Sequence, residues 1–360
     1  MSEKRNINKN FRLNGASFSS ETALISFAEN NSIAIANFLT DWFNNDDFVI
    51  VQTSGSTGKP KPIRLQKECM INSALATGSF FNLKEKTTAL LCMSTNFIAG
   101  KMMLVRALVL GWELDVVAPT SKIILNKKYD FSAMVPLQLR NSLSQINKID
   151  TLIVGGGVVS NDLLDAIQTV TTKVFATYGM TETITHIAVK KLNKFTKPGL
   201  DLSTNYKVLP NVTISQDERN CLVINAPKVS SEKVITNDVV QLLSDTEFEW
   251  LGRFDNVINS GGIKLHPEKI EEKLSKIIQQ RFFVAGISDE ILGEKLVLII
   301  EGSQNEINVA EFSTLTKYEK PKEIYFVKDF IETDTKKIQR SKTLQNASLV
   351  SLMCGIPMHE

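Results

Sequence analysis

The sequence predicts an α/β protein in two parts: a large N-terminal domain, residues 1–251, with mostly parallel sheets plus a β subdomain, and a small α+β domain over 252–360. Short β-rich runs alternate with stretches of helical period from residue 47 to about 190, the pattern of βα units. From 206 to 243 brief apolar alternations are cut by polar turns at Asn211, Asp217 to Asn220 and Asn225 to Pro227, as in a β subdomain. From Gly252 a new strand pair, a helix opening at Pro267 and further strands follow, which places a boundary near Leu251.

Taken in order, strands are predicted at 48–52, 89–93, 113–117, 151–154 and 173–176, and helices between them at 67–80, 97–110, 136–143 and 160–170. The C-terminal part should pair strands around Val257 and Ile263, with others near Phe283, 296–300 and 324–327. At 360 residues and 43% apolar composition, the chain can bury a large core and a smaller one.

Charge excludes some partners. With 41 basic and 39 acidic residues the net charge is +2, so no bulk electrostatic case exists for nucleic acid or an anionic membrane surface. The most apolar stretch, 89–118, contains Lys101, Arg106, Glu113 and Asp115, which argues against membrane insertion. Cys69, Cys92, Cys221 and Cys354 lack paired spacing, and His186, His266 and His359 suggest no zinc site. Together with a polar N-terminus that has no apolar core, this leads us to expect a cytoplasmic protein.

Chemistry concentrates in Thr53-Ser54-Gly55-Ser56-Thr57-Gly58-Lys59-Pro60-Lys61, directly after the apolar run Phe48 to Val51. Glycines let backbone N–H groups approach an anion, hydroxyls add donors and two lysines add charge, so the loop suits a nucleotide triphosphate. It is not a Walker A loop: two residues instead of four separate Gly55 from Gly58, and Pro60 stands where a Mg²⁺-binding hydroxyl would open a helix. Alone, the same residues would also serve as a surface turn.

The loop resembles the phosphate loop of the acyl-adenylate-forming ligases, and three further segments match that family in order. They are Tyr178-Gly179-Met180-Thr181-Glu182-Thr183, then Thr236-Asn237-Asp238 with the run from Leu251 to Glu271, and Thr333 to Arg340 around Lys337. The resemblance implies an adenylate-forming ligase fold, here shortened before the phosphate loop. It also implies roles. Thr53, Ser54, Gly55, Ser56, Thr57, Gly58, Lys59 and Lys61 would hold the ATP phosphates, with Thr181 on the α-phosphate and Glu182 on Mg²⁺. Tyr178 and Gly179 would lie at adenine, Asp238 and Arg253 at ribose. Lys337 would be the mobile catalytic cation, Asp255 the hinge, and Gly261-Gly262 the wall of a tunnel for the CoA thiol, or simply a hairpin turn. The chain has Asn237 and Lys336 where the family has glycine.

Gly155-Gly156-Gly157 resembles the acyl-pocket segment of the o-succinylbenzoate-CoA ligases of menaquinone synthesis, leaving room for a flat ring against bare backbone. Phe97 stands where that group more often has histidine. A dicarboxylic acid needs a cation for its unreacted carboxylate, and Lys101 and Arg106 are the candidates unless they are helix-surface charges. The expected reaction is ATP-dependent activation of an aryl acid to acyl-AMP, then transfer to CoA. Alternatives are another acid, a carrier-protein thiol as acceptor, or a silent AMP-binding paralogue.

Overall fold

The computed structural model describes residues 7–52, 62–193, 205–302, 309–333 and 338–350. The phosphate-loop residues Thr53 to Lys61, and Lys336 and Lys337, lie outside the described residues. In chain order the strands and helices are β1 (Arg12–Leu13), α1 (Glu21–Glu29), α2 (Ile33–Phe43), β2 (Phe48–Gln52), β3 (Pro62–Gln66), α3 (Lys67–Phe81), β4 (Thr88–Leu91), α4 (Ile98–Leu110), β5 (Glu113–Val116), β6 (Tyr129–Met134), α5 (Pro136–Ser142), β7 (Ile149–Val154), α6 (Asn161–Ile167), β8 (Lys173–Gly179) and β9 (His186–Lys191). There follow β10 (Tyr206–Val208), β11 (Thr213–Gln216), β12 (Cys221–Asn225), β13 (Val234–Leu242), β14 (Glu247–Arg253), β15 (Ile258–Ser260), β16 (Ile263–Leu265), α7 (Pro267–Leu274), β17 (Phe282–Asp289), β18 (Gly293–Glu301), β19 (Glu323–Val327) and α8 (Arg340–Val350).

The main sheet runs β1-β5-β4-β6-β7-β8-β9-β10-β14-β13-β12-β11. It is parallel from β1 to β8 and antiparallel from the β8–β9 pair onward. The central strands are apolar without a period-two pattern because helices cover both faces. Leu91, Phe131 and Ile153 pack with α3 and α4 on one side; Leu90, Leu152 and Val154 pack with Leu139 of α5 and Leu163 of α6 on the other. The expected α/β class and parallel sheet are therefore present.

Three details differ from the sequence reading. β6 lies in the middle of the sheet although its six residues carry only a weak strand pattern, and α1 and α2 precede the first predicted strand. The 160–170 helix stops at Ile167, since Thr169 to Thr172 bring a β-branched run that packs poorly in a helix. The expected β subdomain is present: β10 pairs with β9 and continues the parallel array as an antiparallel extension.

A second sheet, β16-β15-β18-β17 with β19 on β18, forms around its own core of Ile258, Leu265, Ile270, Leu274, Val284 and Leu298. Pro267 occupies the first turn of α7, where its missing N–H leaves no bond unmade. Among the described residues, no helix is long and apolar enough to cross a membrane.

Candidate active site

β8 delivers Tyr178 and Gly179 at its C-terminal end, the edge of a parallel sheet where βα loops collect ligands. The chain then makes a 3₁₀ turn through Thr181–Thr183 and reverses into β9. The reversal is tight: Ile184 has φ +67° and ψ −59°, and Thr185 N–H donates to Thr183 O at 2.7 Å, a γ-turn of the strained hand on a β-branched residue. Such strain costs about 1–3 kcal/mol and persists where surrounding contacts impose it. Gly179 is required by the same packing, for a Cβ there would stand 2.1 Å from Thr185 O. Gly179→Ala is expected to destabilise the protein by about 1–3 kcal/mol, read from the denaturant midpoint.

Among the described residues the Thr181 hydroxyl and the Glu182 carboxylate have no side-chain partner, and Glu182 is exposed. A free carboxylate of this kind fits a hard cation such as Mg²⁺, which commonly takes one or two carboxylates and completes its shell with phosphate oxygens and water. No cluster of three metal-ligating side chains exists among the described residues.

Sixty residues downstream, β13 and β14 bring Asp238 against Tyr178. Tyr178 Oη donates to Asp238 Oδ2 at 2.7 Å, Trp250 Nε1 donates to Oδ1 at 3.1 Å, and Arg253 Nη1 lies 3.7 Å from Oδ1. Asp238 is only 8% exposed, and its own N–H is fixed by Thr236 Oγ1 at 3.1 Å. Burial first, and the adjacent carboxylate second, push the Tyr178 phenol far above its ordinary range, so it remains a donor. Tyr178, Tyr206 and Phe248 form an aromatic cluster behind the carboxylate.

The glycine segment follows β7. A Cβ on Gly155 would meet Thr177 Oγ1 at 2.4 Å, and Gly156 has φ +82°, so both positions require glycine; Gly157 has ordinary clearance. Arg140 clamps the end of this loop, donating to both oxygens of Asp162 at 2.5 and 2.9 Å and to Ser160 at 2.7 Å. Asn161 Nδ2 reaches across to Ser275 Oγ at 2.6 Å and Glu272 O at 3.1 Å, just beyond and at the end of α7.

Helix α4 carries the two predicted cations in different directions. The Lys101 ammonium lies over the Phe38 ring at 4.9 Å, turned toward α2, while Phe97 caps the helix and is exposed. Arg106 is 2% exposed. Its Nε donates to Thr77 Oγ1 at 3.3 Å, Nη2 has no partner, and no carboxylate pairs with it among the described residues. Burial lowers its pKa to about 9, which leaves it charged at neutral pH. Thr77 Oγ1 is also 3.5 Å from His186 Nε2. Desolvation, then the nearby guanidinium, hold His186 well below its usual pKa and therefore neutral. His186 also lines a cavity of about 220 Å³ with Ser73, Ala76, Leu209 and Asn211. The sequence patterns single out neither Thr77 nor Trp250.

Near the boundary, Asp255 Oδ2 accepts from Asn237 and Arg253, each at 3.3 Å. Gly252 has φ +145°, with a Cβ position 2.2 Å from Glu268 Oε2. Gly261 and Gly262, at φ +58° and +82°, form a two-residue hairpin loop between β15 and β16.

The chain is similar to several known proteins. A solved acyl-CoA synthetase (AMP-forming)/AMP-acid ligase II-like protein from Dyadobacter fermentans is 36% identical, with 91% of this chain and 99% of that one covered at a TM-score of 0.61. The 2-succinylbenzoate–CoA ligase of a Geobacillus strain is 24% identical over 84% of this chain and 70% of its own length. The o-succinylbenzoate coenzyme A synthetase of Bacillus subtilis, solved with ATP and magnesium ion, shares the fold at a TM-score of 0.67 and 19% identity, over 82% and 69% of the two chains. The family described as AMP-binding enzyme matches residues 4–218, more than half of the sequence, and the chain therefore belongs to the AMP-binding enzymes.

Proposed function

We propose that the protein activates an aryl dicarboxylic acid with ATP and transfers the acyl group to the thiol of CoA, as an o-succinylbenzoate-CoA ligase of menaquinone synthesis. The single observation that supports the nucleotide half of this reading is the 2.7 Å contact between Tyr178 and Asp238, residues from two distant motifs. Adenine would lie against the Tyr178 and Gly179 edge and the ribose hydroxyls on Asp238, with Arg253 beside them. Thr181 would donate to the α-phosphate. Thr53 to Lys61 would hold the leaving pyrophosphate, and Glu182 would hold Mg²⁺, which neutralises phosphate charge.

An oxygen of the acid attacks the α-phosphorus, the bond to the β-phosphate oxygen breaks, and pyrophosphate leaves. Extra negative charge develops on the α-phosphate oxygens, so aligned donors and cations lower the barrier. Lys337 would supply the mobile cation. The CoA sulfur then attacks the acyl carbon and AMP departs; for that step the 252–360 module would turn about Asp255 and bring Gly261-Gly262 to the site.

The acid's second carboxylate would find Arg106. A buried guanidinium without a counterion is unfavourable by several kcal/mol unless an anion completes it. Thr77 and His186 would add a hydroxyl and a neutral imidazole, and Gly155 and Gly156 would bare the backbone to a ring. The relatives named for 2-succinylbenzoate, an aryl acid with two carboxylates, agree with that chemistry.

Pyrophosphate release is measured with a panel of aryl acids, with and without CoA. Thioester formation that requires o-succinylbenzoate, ATP and CoA together is the expected result. Equal use of monocarboxylic benzoates would refute the substrate, and absence of pyrophosphate release with every acid would refute the activity.

A further inference from the structure

We propose that Trp250 is a positioning residue: its indole N–H holds one oxygen of Asp238 so that the carboxylate presents one free lone pair on each oxygen to a pair of vicinal hydroxyls. The inference rests on the nucleotide reading above. It begins from an irregularity in the sheet. β13 and β14 pair Asp238 with Arg253 and Val239 with Gly252, then shift register so that Val240 faces Trp250. Leu251 is the extra residue, and Gly252 at φ +145° makes the bulge possible. Trp250 and Arg253 are three positions apart and would point to opposite faces of a regular strand. The bulge turns both toward the same carboxylate, at 3.1 and 3.7 Å.

The donor count follows from carboxylate chemistry. An ionised carboxylate offers about four lone-pair directions. Tyr178 Oη occupies one on Oδ2, and Trp250 Nε1 occupies one on Oδ1. One direction on each oxygen remains, which matches the 2′- and 3′-hydroxyls of a ribose. Without the indole donor, a buried carboxylate held on one oxygen only could rotate about its terminal bond and lose the matched pair. Trp250 is itself half-buried, and it packs beside the aromatic cluster behind Asp238.

Trp250→Phe keeps the ring and removes the donor. The expected result is a rise of about tenfold in the KM for ATP with the KM for the acid unchanged. Discrimination between ATP and its deoxy analogues is the readout that a merely structural role would not move. Wild-type enzyme is expected to prefer ATP over 2′-deoxy- and 3′-deoxy-ATP by about tenfold or more in kcat/KM, and the variant to lose most of that preference for one of the two. Unchanged discrimination against both, or an equal rise in the acid's KM, overturns the proposal.

A measurement on the wild type stands even where the variant fails to fold. The other two tryptophans, Trp42 and Trp112, are buried in the core at 1% and 0% exposure, so Trp250 is the indole placed to report on the nucleotide. AMP is expected to change the emission, and 2′,3′-dideoxy-AMP is not. Calorimetric AMP binding with silent emission counts against Trp250 alone, whereas no AMP binding at all counts against the nucleotide site itself.

Discussion

Lys337→Ala is expected to reduce acyl-adenylate formation by about 10² to 10³-fold while leaving thioester formation from preformed acyl-AMP near the wild-type rate. A cation about 4 Å from the developing phosphate charge contributes roughly 4 kcal/mol at an effective dielectric near 20. That term matters only while charge builds on the α-phosphate, so its loss falls on kcat of the first step. In the second step the charge moves off toward departing AMP and the lysine would obstruct the thiol. Pyrophosphate release and single-turnover thioesterification of synthetic acyl-AMP, measured separately, check the partition. Equal losses in both steps would mean that the lysine acts through folding or through CoA binding. Unimpaired pyrophosphate release would remove it from the mechanism.

The parts of the molecule that could be read from its sequence are those whose chemistry is local. Tyr178-Gly179-Met180-Thr181-Glu182 ends a strand and turns, and its glycine is demanded by a backbone oxygen a few residues away. Thr236 to Asp238 likewise carries its own brace in the Thr236 hydroxyl. Trp250 was illegible because its role depends on one inserted residue: period-two reasoning sends it to the wrong face, and only the bulge at Leu251 reverses that. β6 was overlooked for a related reason, since a six-residue strand in mid-sheet draws its stability from neighbours on both edges rather than from its own pattern.

Helix α4 gives the opposite lesson. Lys101 and Arg106 are candidates for the second carboxylate, and the alternative that they are surface charges presumes that the helix has a wet face. Met102, Met103, Leu104, Val105, Ala107 and Leu108 are all buried, so the helix is apolar around most of its circumference and has little such face to offer. A helix without amphipathic period is a buried helix. The sequence did contain that signal, and it identifies an arginine in such a helix as a charge placed inside the protein against its own solvation.

Arg106→Met should then separate stability from specificity. In the absence of substrate the variant removes a guanidinium that has no carboxylate partner among the described residues and replaces it with an apolar side chain of similar length. Replacing buried ions by well-packed apolar groups is often stabilising by about 1–4 kcal/mol, so the unliganded Tm is expected to rise. For a dicarboxylic acid the same change leaves the second carboxylate buried without its cation, a loss of about 3 kcal/mol or roughly 10²-fold in kcat/KM. Activity with a monocarboxylic analogue of the same ring should fall far less, and KM for ATP should be unchanged. Calorimetry of the unliganded protein and kinetics with the two acids measure these effects independently. A fall in Tm would mean that Arg106 is already compensated within the fold, and equal losses with both acids would mean that it supports the pocket without reading the second charge. The combination of a more stable protein and a lost preference is the signature of a residue retained for its ligand, because packing alone would have favoured the apolar side chain.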